Sequence, residues 1–414
     1  MDSSSRRAAA IRRALRHPLA RAAAAALLPV LVVVIVALVV HWHDGYVPVE
    51  RGCCSDHSYY LAMAGGLPRH PEAARTPPFD YRILTPLIVR VSPLSPTAGF
   101  HALTLAALIG AAALLWQLLR TLGFAAGAAA GGVVLAGSLY WLVEWPQMDY
   151  ALVDPLSFFL AALFMLALYR GVGPLPLAAI ATLAVLNKEV GLILLPPAAL
   201  YLWRTQRLTP RAALALAGAP VVAVVLLRLL VPSDAGYHPL DALHAALAHR
   251  YGSWSRAFHD LPDYFVPTWG PVLFVLAAQP RSLIRFVRRF PELALLYPLA
   301  HLQLLVATDT ERLLVFAYLA VIPAVVFALR EGLRRDRLVL ASAGLLALVQ
   351  GCYFEYTRLA TAHIAGARAS LDPASHAWER TAILAAAALA LLIAAPAWRR
   401  ALGRRRRLRR ARAA

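Results

Sequence analysis

Apolar residues run through this chain in long blocks, of which Ala22–Val40, Ala102–Leu119, Leu338–Val349 and Ala382–Ala395 are examples. Polar residues collect between the blocks and do not alternate within them. The pattern therefore has the run length of membrane helices and lacks the period-two alternation of a membrane barrel. A hydrocarbon core of about 30 Å takes roughly 20 helical residues to cross. On that measure the chain divides into about twelve passes, several of them short, which predicts an all-α polytopic membrane protein.

The first pass covers about residues 22–41 and opens a long outer loop, residues 42–97. Within that loop Ser58–Ala64 predicts a short helix, and Phe79–Val91 an amphipathic piece lying at the surface. A helix pair follows, turning at Arg120-Thr121-Leu122-Gly123. The chain re-emerges at Glu144–Asp149 and dives again from Asp154-Pro155 to Arg170. A second long outer loop spans residues 232–268 and holds four histidines with Trp254 and Tyr264. Later outer turns lie at Ala307–Arg312 and around Arg358–Arg380. No internal repeat is visible, so a transporter built from inverted halves lacks its sequence mark.

The thirty residues between Pro174 and Trp203 are apolar except for Asn187-Lys188-Glu189 in the middle, and arginines stand at both ends (Arg170; Arg204 and Arg207). Arginines on both flanks put both ends on one side of the membrane, so the segment must be a hairpin. Each arm then has about 14 residues, or roughly 21 Å of helix, too short to cross fully. The polar turn must sit below the outer surface, in a polar cavity or against protein partners.

Composition agrees with the pattern: 60% hydrophobic and 15% charged residues, with a mean hydropathy of +0.62. The net charge of +19 would suit nucleic acid, but its placement argues against that partner. Arginines gather at 204–211, 281–289, 330–337 and 399–412, each group beside an apolar block. Such alternate basic loops are the positive-inside pattern, with lipid headgroups as the tail's partners. They predict a basic cytoplasmic N-terminus (1–21), one transmembrane domain (22–398) and a basic cytoplasmic tail (399–414). The first apolar block is too long for a cleaved leader and lacks a small-x-small site, so it predicts a retained anchor. Asp44, Glu50, Asp56, Glu72, Asp80, Glu144, Asp149, Asp154, Glu189, Asp309 and Glu311 fall on the opposite side, which places the candidate chemistry there. Cys53 and Cys54 in the first outer loop and Cys352 near a late outer helix end allow one bridge or free thiols. No metal-ligand spacing stands out.

Lys188 is the only lysine in a chain with 41 lysines and arginines. A compact ammonium in the centre of an apolar hairpin fits a phosphate oxygen, or an internal ion pair with Glu189 or another acid. Asp56 begins the run Asp56-His57-Ser58-Tyr59-Tyr60, where a carboxylate serves as a base or as a helix cap. Asp154 precedes Pro155, the order of a capping residue followed by a first-turn proline. Asp80-Tyr81-Arg82 and Asp309–Arg312 add outer charges near helix ends, where interfacial ion pairing is the alternative to a role in chemistry.

These stretches resemble, in order, the GT-C superfamily of polyprenyl-phosphate-sugar-dependent glycosyltransferases, in the branch of the protein mannosyltransferases and aminoarabinose transferases. Asp56–Ala64 is similar to that branch's first-loop motif, with His57 where the family pattern has a second acid. Thr76-Pro77-Pro78-Phe79 is similar to the element after it. Met148–Leu156 with Phe158-Phe159 resembles the acidic start of the fourth helix. Ala184–Gly191 with Pro196-Pro197 resembles the lysine hairpin, and Glu311-Arg312-Leu313-Leu314 through Pro323 a late arginine motif.

The resemblance covers about residues 20–325 and implies an inverting glycosyltransferase of a bacterial-type inner (plasma) membrane, acting on the extracytoplasmic face. It implies Asp56 as the base. It implies Asp154, Asp149 and His57 as acceptor-orienting groups, and Lys188, Arg82 and Arg312 as ligands of the donor phosphate. The partners it implies are a polyprenyl-phosphate-sugar donor and a glycan, lipid or protein acceptor, with no cofactor or metal. A lipid or solute transporter (a flippase) and a non-catalytic scaffold of the same fold are the alternatives.

The topology is checked by single-cysteine labelling. Probes at Glu50, Leu240 and Ser370 are expected to react from outside, and probes at Gln206, Phe286 and Arg405 from inside. Labelling of position 206 from outside would exclude the hairpin.

Overall fold

The computed structural model describes residues 18–46, 56–65, 78–231, 268–303, 311–333 and 336–366, and every regular element among them is helical. Helix α1 (Pro18–Val39) relaxes into a π-turn over Val40–Asp44. The described part of the first long loop holds α2 (Asp56–Met63), a 3-10 turn at Phe79–Tyr81 and α3 (Leu84–Val91). The long helix α4 (Pro96–Thr121) and α5 (Ala126–Gly137) follow. A π-turn at Tyr140–Glu144 leads into α6 (Trp145–Met148). Then come α7 (Asp154–Tyr169), α8 (Pro174–Asn187), a 3-10 segment at Glu189–Leu194, α9 (Leu195–Arg204) and α10 (Pro210–Leu230). Next are α11 (Val272–Ala278), α12 (Pro280–Arg289) and α13 (Pro291–Leu302). α14 (Glu311–Leu314) runs through a 3-10 turn into α15 (Tyr318–Leu333), and α16 (Asp336–Gly366) closes the described chain.

Proline punctuates these helices as its chemistry requires. It stands in the first turn of α4, α7, α8, α9, α10, α12 and α13, where its missing N–H leaves no helical bond unmade. Ser95 and Thr209 cap α4 and α10 by accepting from Ala98 and Ala212 N–H groups. Gly171 ends α7 at φ +76°, a left-handed conformation that glycine adopts without strain.

Several expected elements are present with shifted bounds. The short helix expected at Ser58–Ala64 is α2, begun two residues earlier at Asp56. The amphipathic piece Phe79–Val91 is split at residues 82–83 into a 3-10 turn and α3. The outer loop expected around Arg358–Arg380 is helical up to Gly366, because α16 runs for 31 residues. Three helices among the described residues are long and apolar enough to cross a membrane: Pro96–Thr121, Pro210–Leu230 and Arg312–Leu333. A fourth is the pair Ala126–Gly137 and Tyr140–Met148, bent by 75°. The expectation of about twelve is not reached there, since α7 has 16 residues and α8 has 14. The second outer loop up to residue 267, the Thr76-Pro77 step, Asp309 and the basic tail lie outside the described residues, as do Cys53 and Cys54. Cys352 is exposed and unbridged.

The surface identifies the solvent. On α10, Leu214, Leu229 and Leu230 are each about three-quarters exposed, and Val221, Val222, Val225 and Leu226 are exposed beside them. Water would penalise an apolar face of that size, whereas lipid chains do not. The Arg312–Leu333 span is the reverse, buried along its whole apolar window, so it is the axis of the bundle. α4 packs along α7, α8 along α7 and α10, and α5 along α16 and α15.

Charge segregates to the two ends of this bundle. At one end Arg207 donates to the Gly171 carbonyl at 2.7 Å, Arg330 to Gly123 at 3.0 Å and Arg120 to Phe124 at 2.7 Å. Arg204 and Tyr169 hold the buried Glu292 there, and Arg285 pairs with Glu331. The Arg207–Gly171 bond joins the chain before α8 to the chain after α9, so residues 174–203 leave and return at the same end. The acidic residues of α2, α7 and the Lys188 turn lie at the other. Arg228 departs from the segregation and covers the Tyr81 ring at 3.9 Å.

The return of the hairpin depends on Gly191. A Cβ there would lie 2.7 Å from the Ala184 carbonyl carbon and 2.8 Å from the Val185 nitrogen, both backbone atoms. Gly191→Ala is therefore expected to destabilise the protein by about 1–3 kcal/mol. A melting temperature in detergent unchanged from the native chain would refute this close packing.

Candidate active site

The site is built at four helix ends, the starts of α2, α7 and α14 and the end of α8. α8 ends at Asn187, and Lys188 is extended at φ −161° and ψ 134° before the 3-10 segment begins. Asn187 holds that break. Its amide donates to the Val153 carbonyl and to Ser157 Oγ, each at 2.7 Å, and its oxygen accepts from Thr85 Oγ1 at 2.6 Å. A fully buried amide so engaged ties α3, α7 and α8 together and fixes the direction in which Lys188 leaves the helix.

Lys188 Nζ reaches Asp154 Oδ1 at 2.5 Å, and both residues are buried. The ammonium also lies 5.4 Å from the Phe316 ring centre. Arg312 Nε stands 3.1 Å from the second Asp154 oxygen. The same guanidinium donates through Nη2 to Asp56, so Arg312 bridges the two carboxylates. Asp154 therefore caps nothing: it is the first residue of α7, with no side-chain bond to the helix N-terminus, and its oxygens face two cations. The internal ion pair foreseen for Lys188 is made with Asp154 and not with Glu189.

Glu189 belongs to Arg82. Its carboxylate takes the guanidinium fork at 2.6 and 3.1 Å, and Arg82 Nη1 donates to Tyr60 OH at 2.8 Å. Planar bidentate pairing of this kind is the arginine geometry a lysine cannot supply. Arg82 thus joins the cluster with all three of its nitrogens already donating. Neither Tyr60 nor the Arg82–Glu189 pairing was singled out by the sequence; the adjacent Lys188-Glu189 offered a nearer partner.

His57 and Asp149 form a second buried pair, with Nδ1 3.2 Å from Oδ1. Burial pushes the Asp149 carboxyl above its ordinary value, against the hydrogen bond from His57 and the charges of His57 and Arg312. Tyr150 next to it stacks on His101 at 3.8 Å. All seven residues nominated from the sequence (Asp56, His57, Arg82, Asp149, Asp154, Lys188 and Arg312) thus lie at the acidic end of the bundle. A continuous set of contacts links Asp56, Asp154, Lys188 and Arg312. Among the described residues no group of three His, Cys, Asp or Glu side chains is arranged to hold a metal ion.

No family model and no curated protein matches the chain. Two solved structures are similar. One is the archaeal oligosaccharyltransferase AglB from Archaeoglobus fulgidus in complex with an inhibitory peptide and a dolichol-phosphate. The other is the oligosaccharyltransferase of Archaeoglobus fulgidus in the apo form. Each is 16% identical with a TM-score of 0.42, over 89% and 90% of this chain respectively and 55% of theirs. The chain spans about half the length of these proteins, and at that likeness they decide nothing about its activity.

The buried pair makes a graded prediction. Asp154→Leu leaves Lys188 without an anion beside it and is expected to cost about 3–5 kcal/mol. Lys188→Met is expected to cost less, because Arg312 still faces Asp154. A double-mutant cycle read by chemical denaturation in detergent should give a clear coupling between the two sites. Strict additivity would mean that the pair is not formed.

Proposed function

We propose that the chain is a membrane glycosyltransferase that takes a sugar from a polyprenyl-phosphate donor and passes it to an acceptor hydroxyl on the extracytoplasmic face. The observation that carries this reading is the gathering of Asp56, Arg312, Asp154 and Lys188, from four separate stretches, into one half-sunk cluster. A carboxylate beside two cations at the end of a lipid-facing bundle suits a reaction whose leaving group is a lipid phosphate.

In this reading Asp56 accepts the proton of the acceptor hydroxyl as its oxygen attacks the anomeric carbon. The bond from that carbon to the phosphate oxygen breaks, the electron pair stays on the lipid phosphate, and the anomeric centre inverts. Lys188 and Arg312 neutralise the charge that grows on the phosphate. Arg82, held by Glu189 and Tyr60, adds positive potential behind them. His57 and Asp149 orient the acceptor, and Asp154 holds the two cations in position. The arginine-rich end and both termini would face the cytoplasm of a bacterial-type inner membrane. The donor arrives through the bilayer, which suits a chain in which no glycine-rich strand–helix turn for a soluble nucleotide sugar is evident.

Purified protein supplied with polyprenyl-phosphate-linked sugars and candidate acceptors should transfer the sugar. Asp56→Asn should abolish transfer while leaving the fold intact. Lys188→Ala should weaken donor use, and Lys188→Arg should restore it poorly, because a fork does not replace a point charge in a closed site. Full activity in Asp56→Asn, or transfer from a nucleotide sugar alone, would exclude the mechanism.

A further inference from the structure

The resting cluster leaves its cations already matched. Arg82 is taken by Glu189 and Tyr60, Lys188 by Asp154, and Arg312 by Asp56 and Asp154. Setting His57 and Asp149 aside as a pair of their own, three cations stand against Asp56, Asp154 and Glu189. The cluster therefore has no surplus positive charge to attract a phosphate. An anion can enter only by exchange. The pairs differ in how much exchange costs them: Lys188 and Asp154 are sealed at 3% and 1% side-chain exposure, whereas Arg312 and Asp56 stand at 9% and 16%. Arg82–Glu189 is more open still, at 9% and 42%, but it is a bidentate fork with a third bond to Tyr60, whereas Arg312 donates to Asp56 through Nη2. A phosphate offers a guanidinium fork two oxygens in one plane, which a single carboxylate oxygen does not.

We propose that Arg312 is an exchangeable partner, which a lipid phosphate draws away from Asp56, so that donor binding releases the base. This rests on the glycosyltransferase reading and adds a coupling to it. Without donor, Asp56 is held in the ion pair, with Oδ2 facing Arg312. With donor bound, Arg312 turns to the phosphodiester, whose charge rises by one as the sugar leaves. Nε of Arg312 stays near Asp154, so the guanidinium pivots about a held edge. Water meeting the empty site finds no free base.

Coupling of this kind is reciprocal: if phosphate and Asp56 compete for Arg312, removing the Asp56 charge must tighten phosphate binding. The probe is an unreactive polyprenyl phosphate, titrated into the full chain in detergent. Asp56→Asn should bind it more tightly by roughly fivefold or more. Asp149→Asn removes a nearby charge whose ion pair is with His57, and it should bind clearly less tightly than Asp56→Asn. Equal tightening in the two variants, or none in Asp56→Asn, overturns the exchange while leaving the phosphate site intact. Failure of the native chain to bind the probe at all overturns the donor reading and the exchange with it. A readout on the native chain guards against a misfolded variant. Carbodiimide modification of Asp56, located by peptide mass, should be faster with the polyprenyl phosphate than without it, and protection by the probe would contradict the release.

Discussion

A carboxylate sealed among apolar helices is tolerated only with cations beside it, and Asp154 is the group on which this end of the bundle turns. Desolvating it alone would cost several kcal/mol or more, so the fold must deliver Lys188 and Arg312 to it together. Lys188 comes from the break in residues 174–203, Arg312 from the turn before the central helix, and Asp154 from the start of α7. Meeting at one point, they constrain three helix ends whose apolar faces would otherwise allow small slides. The Asn187 amide does the same work from the neutral side, locking Thr85, Ser157 and the Val153 carbonyl around the break.

The opposite end is held differently. Its arginines mostly donate to helix-terminal carbonyls or to partly exposed acids, contacts that satisfy orphan acceptors at little desolvation cost. Glu292 is the exception, a buried acid held by Tyr169 and Arg204. One end of the molecule is therefore fastened by many weak surface contacts and the other by a few buried ones. Only the second arrangement places unlike charges within reach of a ligand and away from bulk water.

Much of this was legible in the chain because a few residues break a strong pattern. One lysine in an apolar run, flanked by arginines thirty residues apart, is enough to predict a break and a return. Asp154 before Pro155 marks the start of α7 in the same way. The pairing was not legible: Lys188 stands next to Glu189, yet adjacent residues leave an extended turn in opposite directions, and Glu189 meets Arg82 more than a hundred residues away. The count of about twelve passes is not matched among the described residues, because run length alone does not separate a full span from the 14 and 16 residues of α8 and α7. The network around Asn187 went unread because a serine and a threonine inside apolar helices carry no mark of what they face. The roles of Asp56, His57 and Asp149 stay with the resemblance and the chemistry, for contacts between side chains describe a resting arrangement and not a reaction.

That resting arrangement has one consequence for any ligand. A preorganised site must be rigid where it aims a group and yielding where a ligand enters. Lys188 meets the first need: its backbone is set by Asn187, its ammonium lies by Phe316, and its partner is sealed. In the proposed exchange Arg312 meets the second, since its contact with Asp56 is more open than the sealed Lys188–Asp154 pair. Exchanging Asp56 for a phosphate would keep an anion beside it, so no step requires a bare guanidinium in an apolar wall. A site arranged in the reverse order, with the sealed pair at the entrance, would have to break its strongest contact before binding anything.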